Sequence, residues 1–269
     1  MDKRIACVLA HYRSDGLLGA STRGLLDYLV RHVEHVLLVS TNLTEEEARS
    51  VPAGTDVIVR ENVGYDFYSY KVGLDSIEDL EAYDYVCVMN NSFVCFDPEK
   101  LMTGVFSRLD GSADVLGLTY SREIAPHLQS YLLVFARKAL LSEPVRSWWA
   151  AMVPISDRNT VIVQYEVGLS SFLLAREYSL ACAFRPSPAQ QLRALCHAIR
   201  LGLYKPEIPP DAKLMLDLQL AELLNPTHFA WEELLEQFAI VKRDLFENNP
   251  YRLDLHDLKT VYGERLAAL

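Results

Sequence analysis

The stretch from Arg60 to Lys71 has the residue types and the spacing of a phosphate-binding site. Asn62 and Gly64 form a turn in which the backbone can approach a ligand closely, and Arg60 precedes this turn with a positive charge. The helix start that follows offers free N–H groups and the positive end of the helix dipole. Helical side chains lean toward the N-terminus, so the Lys71 ammonium is expected to reach an anion held there. The alternative interpretation is structural, with Asp66 as an N-cap, Gly64 as a turn residue and Lys71 as a solvated lysine.

A strand before this stretch and a helix after it must hold these residues in place. Residues 56–59 form a short β-branched run that predicts a buried strand. Four later residues have the spacing of one helical face: Phe67, Tyr70, Leu74 and Ile77. In an α/β sheet, the turn between such a strand and helix lies at the carboxyl end of the strand, where ligands bind.

The alternation of strands and helices continues along the first half of the chain. Patterns of buried strands occur at residues 4–10, 36–40, 85–89, 114–119 and 131–135. Strands and helices that alternate at this spacing predict an α/β fold with a Rossmann-like, mostly parallel sheet and right-handed crossovers.

Polar residues cluster next to the predicted strands. The clusters are His11 with Tyr12, residues 60–66, residues 90–92, residues 127–130 and residues 164–166. Because the carboxyl ends of parallel strands meet at one edge of a sheet, these clusters predict one large polar pocket. A pocket of this kind suits a nucleotide together with a hydroxylated partner.

Length and composition narrow the function classes. The 269 residues, half of them hydrophobic, allow one large α/β domain with a smaller helical addition. A net charge of −10 disfavours nucleic acid as a partner. The N-terminus enters a strand pattern at once and no apolar run could span a bilayer, which predicts a cytoplasmic protein without a signal peptide. The five cysteines contain no CxxC pair and are expected to be free thiols.

The pattern changes after Pro186 and Pro188. Residues 1–187 are assigned to the sheet domain and residues 188–269 to a helical region without strands. Residues 191–205 predict a basic amphipathic helix. It combines apolar and basic residues: Leu192, Leu195, Ile199 and Leu203 with Arg193, His197, Arg200 and Lys205. Two interpretations of this helix stay open, which are peripheral contact with an anionic membrane surface and packing on the core.

A group transfer from a nucleotide donor would need a base and a positive charge on the leaving phosphate. Glu166 and His127 are the candidates for the base that deprotonates an attacking hydroxyl. Arg60, Lys71 or a metal ion could neutralise the leaving group. The sequence contains no Ser-His-Asp, HExxH or Walker motif.

Four segments, in this order, resemble the rhamnan synthesis F family of bacterial glycosyltransferases. They are residues 60–74 (RENVGYDFYSYKVGL), 89–92 (MNNS, the family's Asn-Asp-Ser element), 127–135 (HLQSYLLVF, its His-Leu-Gln-Ser-Tyr-Phe segment) and 165–170 (YEVGLS). The first and third of them are the most specific. Residues 225–228, 242–245 and 249–250 are similar to the helical tail of related polysaccharide enzymes.

The resemblance implies a type-A glycosyltransferase fold and a nucleotide-sugar donor, with dTDP- or GDP-linked sugars favoured. The acceptor would be a glycan or a lipid-linked glycan, at the inner face of the cytoplasmic membrane. The residues placed around the donor are His11, Tyr12, Arg60, Asn62, Gly64, Asp66, Lys71, Asn90, Asn91 and Ser92. The residues placed around the acceptor are His127, Gln129 and Ser130.

The resemblance also bears on a divalent metal and on the base. Residues 90–92 stand where such enzymes carry an Asp-x-Asp metal motif, but the family's aspartate is Asn91 here. An amide is a poorer ligand for Mg²⁺ or Mn²⁺ than a carboxylate, so Asn91 and Ser92 would be ligands only if a metal is used. Glu166 falls where related enzymes place the base of an inverting transfer, and is favoured over His127.

The sequence therefore predicts a hexosyltransferase that builds a cell-surface polysaccharide such as a lipopolysaccharide O-antigen, and that transfers rhamnose or another deoxyhexose. The first alternative is a non-catalytic module of the same fold that binds a glycan or a nucleotide within a larger synthase, which the Asn91 departure favours. A second alternative, a nucleotidyltransferase acting on a sugar phosphate, would want a glycine-rich basic loop near the N-terminus. Residues 11–19 do not supply one.

Overall fold

The structure of the chain is a computed structural model that describes residues 3–200 and 225–267. The strands in these ranges are β1 (Ile5–His11), β2 (His35–Ser40), β3 (Thr55–Val59), β4 (Tyr85–Asn90), β5 (Phe93–Cys95), β6 (Val115–Ser121), β7 (His127–Leu128), β8 (Leu132–Ala136), β9 (Leu180–Phe184) and β10 (Ile240–Lys242). The helices are α1 (Ala20–His32), α2 (Glu45–Arg49), α3 (Tyr65–Ser76), α4 (Pro98–Phe106), α5 (Arg137–Leu140), α6 (Glu143–Ala150), α7 (Arg158–Val161), α8 (Gly168–Leu174), α9 (Pro188–Arg200), α10 (Pro226–Phe229), α11 (Trp231–Phe238), α12 (Arg243–Glu247) and α13 (His256–Ala267). A 3₁₀ turn lies at Leu80–Ala82 and a π-helical turn at Ile162–Val167.

Eight strands form the main sheet in the order β3-β2-β1-β4-β8-β6-β7, with β9 paired to β6. The pairs β1–β2, β2–β3, β1–β4 and β6–β9 are parallel, whereas the pairs that β8 makes with β4 and β6 are antiparallel. The predicted α/β fold with a mostly parallel sheet is confirmed, and all six predicted strands are present. The prediction that residues 56–59 are buried is wrong, because β3 lies at the edge of the sheet and all of its residues are partly or fully exposed. The sequence pattern missed β5, β7, β9 and β10, which are short or only partly buried.

Helices cover both faces of this sheet, which is why β1 and β4 are buried at every position rather than at every second one, with His11 and Asn90 as their polar last residues. Cys7 and Cys87 point to the face covered by α1, whereas Val8 and Val88 point to the face covered by α3. This alternation is the period of two that a strand imposes on its side chains. The cysteines are free thiols and were predicted to be buried, which holds for Cys7, Cys87 and Cys95, whereas Cys182 is half-buried and Cys196 is exposed.

The strand directions gather one edge of the sheet for binding. Because β1 to β4, β6 and β9 run the same way, their carboxyl ends meet at one edge. The antiparallel strand β8 begins at that edge, so Ser130 and Tyr131 lie beside the residues that follow β4. The sheet thus brings together polar clusters that are far apart in the sequence.

One prediction about the C-terminal region is wrong. That region was expected to be helical without strands, but β10 pairs antiparallel with β5 in the register Lys242↔Phe93. A strand of two apolar residues and a lysine gives a weak signal, and its pairing partner is about 150 positions away, where pattern reasoning does not reach. The domain division at residues 187 and 188 stays a prediction.

The predicted amphipathic helix is present as α9 up to Arg200, while Leu203 and Lys205 lie outside the described residues. Leu195 is buried, but Leu192 and Ile199 are exposed. Packing on the core therefore accounts for part of the apolar face, and membrane contact stays a hypothesis. Within residues 3–200 and 225–267, none of the helices has the length and apolar composition needed to cross a bilayer.

Helix α3 approaches β1 so closely that only glycine fits at one contact. A Cβ atom on Gly73 would lie 2.3 Å from a methyl group of Val8, which is β-branched and fixed in a strand. We expect Gly73→Ala to lower the free energy of unfolding by about 1–3 kcal/mol, the usual cost of overpacking a core.

Urea denaturation of the variant measures this cost. Gly24→Ala is the matched control, because Gly24 is also inside a helix but has open space where the Cβ would stand. The control should be neutral or stabilising by up to about 1 kcal/mol. Equal effects of the two substitutions would contradict the assigned contact.

Candidate active site

A cleft of about 1010 Å³ opens at the carboxyl edge of the sheet. Its lining is drawn from five segments: residues 11–15, 62–66, 91–92, 154–158 and 242–248. The first three follow β1, β3 and β4, as the sequence predicts for a ligand pocket, and the last follows β10. The cleft therefore depends on both the sheet and the C-terminal region.

A chain of hydrogen bonds joins Asp66 to Lys242 along this cleft. Asn90 Nδ2 donates to Asp66 Oδ2 at 2.7 Å, and Asn90 Oδ1 accepts from the backbone N of Ser92 at 3.0 Å. The Ser92 hydroxyl in turn accepts from Lys242 Nζ at 2.5 Å. Residues from α3, the loop after β4 and β10 thus form one polar network.

Lys242 is an ammonium withdrawn from water. Burial lowers the pKa of Lys242 to about 8, against the attraction of the carboxylates of Glu166 and Asp66, which raises it. The ammonium also lies 4.2 Å from the centroid of the Tyr131 ring, a cation–π contact. These partners hold a positive charge in a fixed position beside residues 90–92.

Asp66 is the acid that faces this ammonium. Burial raises the pKa of Asp66 to about 6, the neighbouring Lys242 lowers it and the nearby charge of Glu166 raises it. A carboxyl group with a pKa in this range, in a cleft and next to a specific charge partner, is a frequent mark of a functional site.

Glu166 lies next to this pair and is held by the turn before β8. Its Oε1 accepts from the Ser130 backbone N at 2.7 Å and from Ser130 Oγ at 2.9 Å. The Ser130 carbonyl accepts from the Tyr70 hydroxyl at 3.0 Å. Glu166 also sits in the π-helical turn Ile162–Val167, an irregularity that is frequent at functional sites.

Two of the cations predicted for the phosphate make other contacts. The Arg60 guanidinium donates to the carbonyls of Glu61, Val63 and Tyr65 and to Ser69 Oγ, at 2.6–3.1 Å. Arg60 therefore fixes the turn around Gly64 rather than presenting its N–H groups to the cleft.

Lys71 lies over the next turn of α3 instead of at the helix start. Its Nζ is 2.9 Å from Asp75 Oδ2, an ion pair four residues along the helix. The geometry thus matches the structural interpretation of Lys71 and not the expected reach toward an anion at the N-terminus.

The other residues predicted around the donor line the same cleft, namely His11, Tyr12, Asn62, Gly64 and Asn91. Asn91 Oδ1 accepts from the Tyr12 backbone N at 3.1 Å, and Asn91 Nδ2 donates to the Tyr12 carbonyl at 3.0 Å. His11 is buried beside Ser40, and burial lowers its pKa to about 4, so its imidazole is neutral near pH 7. Gly64 has φ 73°, the left-handed region that favours glycine, and caps α3.

Three polar atoms in the cleft wall are buried without a hydrogen-bond partner among the described residues. They are His11 Nε2, Thr41 Oγ1 and Arg243 Nη2. The Nε of Arg243 is fixed at 2.8 Å from the Asn91 carbonyl, which holds the guanidinium beside residues 90–92. Because buried polar groups are nearly always satisfied in native structures, such atoms point to a bound molecule.

The predicted acceptor residues divide into two groups. Ser130 reaches Glu166, as described above. Gln129 Nε2 donates to Asn225 Oδ1 at 3.2 Å, and Gln129 Oε1 accepts from Thr119. His127 Nδ1 lies 2.7 Å from the Ala125 carbonyl, so this nitrogen is occupied locally. Glu166 is thus closer to the charged network than the rival base.

Residues 90–92 do not fit a divalent cation. Asn91 uses both ends of its amide on the backbone of Tyr12, and the Ser92 hydroxyl receives the ammonium of Lys242. Mg²⁺ and Mn²⁺ usually bind through one or two carboxylates together with waters and substrate phosphates, whereas the carboxylate joined to this loop, Asp66, accepts from Asn90 and already has the Lys242 ammonium as its counter-charge. Across the described ranges, no three His, Cys, Asp or Glu side chains come together in a way that could hold a metal ion.

Sequence reasoning missed Lys242 and Arg243 as site residues. Residues 242–245 were singled out only for their resemblance to the tail of polysaccharide enzymes. Two adjacent cations after the apolar pair Ile240 and Val241 were the available signal. Without the pairing of β10 and β5, nothing in the sequence connects them to residues 90–92.

A sequence profile described as Rhamnan synthesis protein F matches residues 36–206. The match covers more than half of the chain and includes Asp66, residues 90–92, Ser130 and Glu166. The chain belongs to the rhamnan synthesis protein F family. Membership of this family supports a glycosyltransferase-like function in polysaccharide biosynthesis, and confirms the resemblance that the sequence motifs carry. Lys242 and Arg243 lie outside the matched residues.

Individual proteins that match this chain share about a quarter of its residues over the aligned part. The virulence protein VirA of Vibrio anguillarum is 26% identical over 201 residues, which are 72% of this chain and 62% of VirA. The chain thus spans less than two thirds of the length of this relative.

Two solved structures are similar in fold. Glucosyl-3-phosphoglycerate synthase from Mycobacterium tuberculosis, in complex with Mn²⁺, UDP and phosphoglyceric acid, is 16% identical with a TM-score of 0.47, over 77% of this chain and 81% of the synthase. The mannosyltransferase PcManGT from Pyrobaculum calidifontis, in complex with GDP-Man and Mn²⁺, is 14% identical with a TM-score of 0.42, over 100% of this chain and 81% of PcManGT.

The raised pKa of Asp66 predicts a pH dependence of stability. A folded pKa of about 6 against an ordinary value of 3.8 means that the folded state binds this proton more tightly than the unfolded state. Ionised Asp66 therefore destabilises the fold, increasingly as pH rises toward 6 and fully above it. We expect Asp66→Asn to gain about 1–2 kcal/mol of stability relative to wild type between about pH 4.5 and about pH 7.

Urea unfolding of both proteins across this pH range measures the difference. Asp27→Asn, at an exposed position of α1, controls for the loss of one surface carboxylate. A difference between Asp66→Asn and wild type that stays constant or shrinks as pH rises would contradict the assigned burial of Asp66.

Proposed function

We propose that this chain is a glycosyltransferase that moves a hexose unit from a nucleotide sugar onto a growing cell-surface polysaccharide or lipid-linked glycan. The observation that carries the proposal is the partly buried group of Asp66, Asn90, Ser92, Lys242 and Glu166 at the carboxyl edge of the sheet. Family membership supports this class of reaction. The donor we propose is a dTDP- or GDP-linked sugar, such as rhamnose or another deoxyhexose.

The cleft offers the contacts that such a donor needs. The N-terminus of the twelve-residue helix α3, preceded by Gly64, supplies free N–H groups for a phosphate. Arg243 and Thr41 supply buried polar atoms without partners among the described residues. The cleft of about 1010 Å³ is large enough for a nucleotide and a sugar.

In the proposed reaction, Glu166 acts as general base. An acceptor hydroxyl loses its proton to the Glu166 carboxylate while its oxygen bonds to the anomeric carbon of the donor sugar. The bond from that carbon to the diphosphate oxygen breaks, and the nucleoside diphosphate leaves with the electron pair. Displacement from the face opposite the leaving group inverts the anomeric configuration.

Glu166→Gln tests the base. The amide oxygen can still accept from Ser130 N and Oγ, so the local structure should persist while the ability to take up a proton is lost. We expect turnover to fall by about 10²- to 10⁴-fold with nucleotide affinity nearly unchanged.

Release of nucleoside diphosphate and calorimetric nucleotide binding measure the two effects separately. Glu236→Gln, an exposed position of α11, is the control and should keep full activity. Turnover by Glu166→Gln at the wild-type rate would remove Glu166 from the mechanism and return attention to His127.

A second candidate function is a non-catalytic module that binds a nucleotide or glycan within a larger synthase. It is favoured by Asn91, which stands in place of the family's aspartate and is fully used on Tyr12. Nucleotide-sugar binding without release of nucleoside diphosphate, over a range of glycan acceptors, would support this candidate against the transferase.

A further inference from the structure

Two consecutive cations of the C-terminal region reach two consecutive residues of the loop after β4. Lys242 Nζ lies 2.5 Å from Ser92 Oγ, and Arg243 Nε lies 2.8 Å from the Asn91 carbonyl. The backbone N of Arg243 donates to the Ser92 carbonyl at 3.0 Å, directly after the β10–β5 pairing. The register of two short strands therefore fixes both charges at this loop.

This loop is where enzymes with an Asp-x-Asp motif would hold a divalent cation against the donor diphosphate. Here its side chains bind each other, Tyr12 and Lys242 instead of offering oxygens to a metal. An ammonium in contact with Ser92 Oγ would also repel a dication at the same place. The ammonium of Lys242 and the guanidinium of Arg243 together carry two positive charges, the charge of one Mg²⁺ or Mn²⁺ ion.

The acids around Lys242 and Arg243 hold these cations in position, and they leave positive charge available for a bound anion. Asp66 and Glu166 attract Lys242, as carboxylates would attract a metal ion at this position. Two other acids that line the cleft have partners of their own: Asp15 bonds Arg13 at 2.6 Å, and Asp244 is 3.1 Å from His228. The charges of Glu247, which is exposed, and of Asp15 also attract the Arg243 guanidinium. Arg243 Nη2 stays buried without a partner among the described residues, which leaves a charged donor for an anion.

We propose that Lys242 and Arg243 neutralise the diphosphate of the donor in place of a divalent cation, so that this chain binds its nucleotide without metal. The inference rests on the proposed function, because it assigns the leaving-group contacts of that same cleft. It gives β10 and the start of α12 a direct part in donor binding.

Calorimetric titration with GDP, dTDP and UDP, each in EDTA and in Mn²⁺, tests the proposal. We expect at least one of these nucleotides to bind with affinities that agree within about threefold in the two conditions. Lys242→Met should weaken that binding by about 10- to 100-fold in EDTA, the loss typical of a buried charge-assisted contact.

Two lysines serve as matched controls. Lys71→Met removes the cation that sequence reasoning favoured and that pairs with Asp75, and Lys100→Met removes an exposed lysine of α4. Both should bind nucleotide as wild type does. A loss in Lys71→Met as large as that in Lys242→Met, or wild-type affinity of Lys242→Met in EDTA, would overturn the proposal.

The outcomes separate this inference from the proposed function. Binding that requires Mn²⁺ would overturn the metal-independent arrangement and leave the glycosyltransferase proposal intact. Binding of none of the nucleotides or of their sugar conjugates, in either condition, would overturn both.

Lys242→Met could fail to fold because it removes the positive charge that faces Asp66 and Glu166. A second variant keeps the test possible in that case. Asp66→Asn combined with Lys242→Met removes one charge of each sign, and circular dichroism reports whether it folds. The proposal expects this folded protein to bind nucleotide weakly in EDTA and to gain no more than about threefold from Mn²⁺. Wild-type affinity in EDTA, or a larger gain from Mn²⁺, would overturn it.

Discussion

The site depends on the pairing of two three-residue strands, β5 and β10. This pairing carries Lys242 across about 150 positions of sequence and places its ammonium against Ser92. Withdrawing the Lys242 ammonium from water is costly, and the nearby carboxylates of Glu166 and Asp66 offset only part of that cost. The pairing of β5 and β10 therefore both attaches the C-terminal region to the sheet and forms the charged centre of the cleft.

The rest of the cleft follows from strand direction. Parallel strands deliver His11, the turn at Gly64 and residues 90–92 to one edge, and the reversed strand β8 begins there with Ser130 in contact with Glu166. Each polar side chain is held by a neighbour from another element, so the site is preorganised by hydrogen bonds before a ligand arrives. Preorganised charge of this kind is what stabilises a leaving group most effectively.

Sequence reasoning was accurate where a signal is local. The strands are long runs of buried apolar residues, the turn at Gly64 carries a conformational requirement, and the family motifs are contiguous, so each could be recognised within a window of fifteen residues or fewer. The short strands carry no such signal. The roles of Arg60 and Lys71 were also undetermined from the sequence, because a cation before or within the first turns of a helix can face a ligand, a backbone carbonyl or an acid one turn away.

The sequence by itself determined the α/β class, the longer strands β1 to β4, β6 and β8, the family and the sheet edge at which the polar residues gather. Only the tertiary structure decided which charges meet there. Coulomb attraction and desolvation act through space, and Lys242, Asp66 and Glu166 come from three segments that nothing in the sequence links. Their contacts depend on a strand register and on a reversed strand, which only the packed sheet fixes.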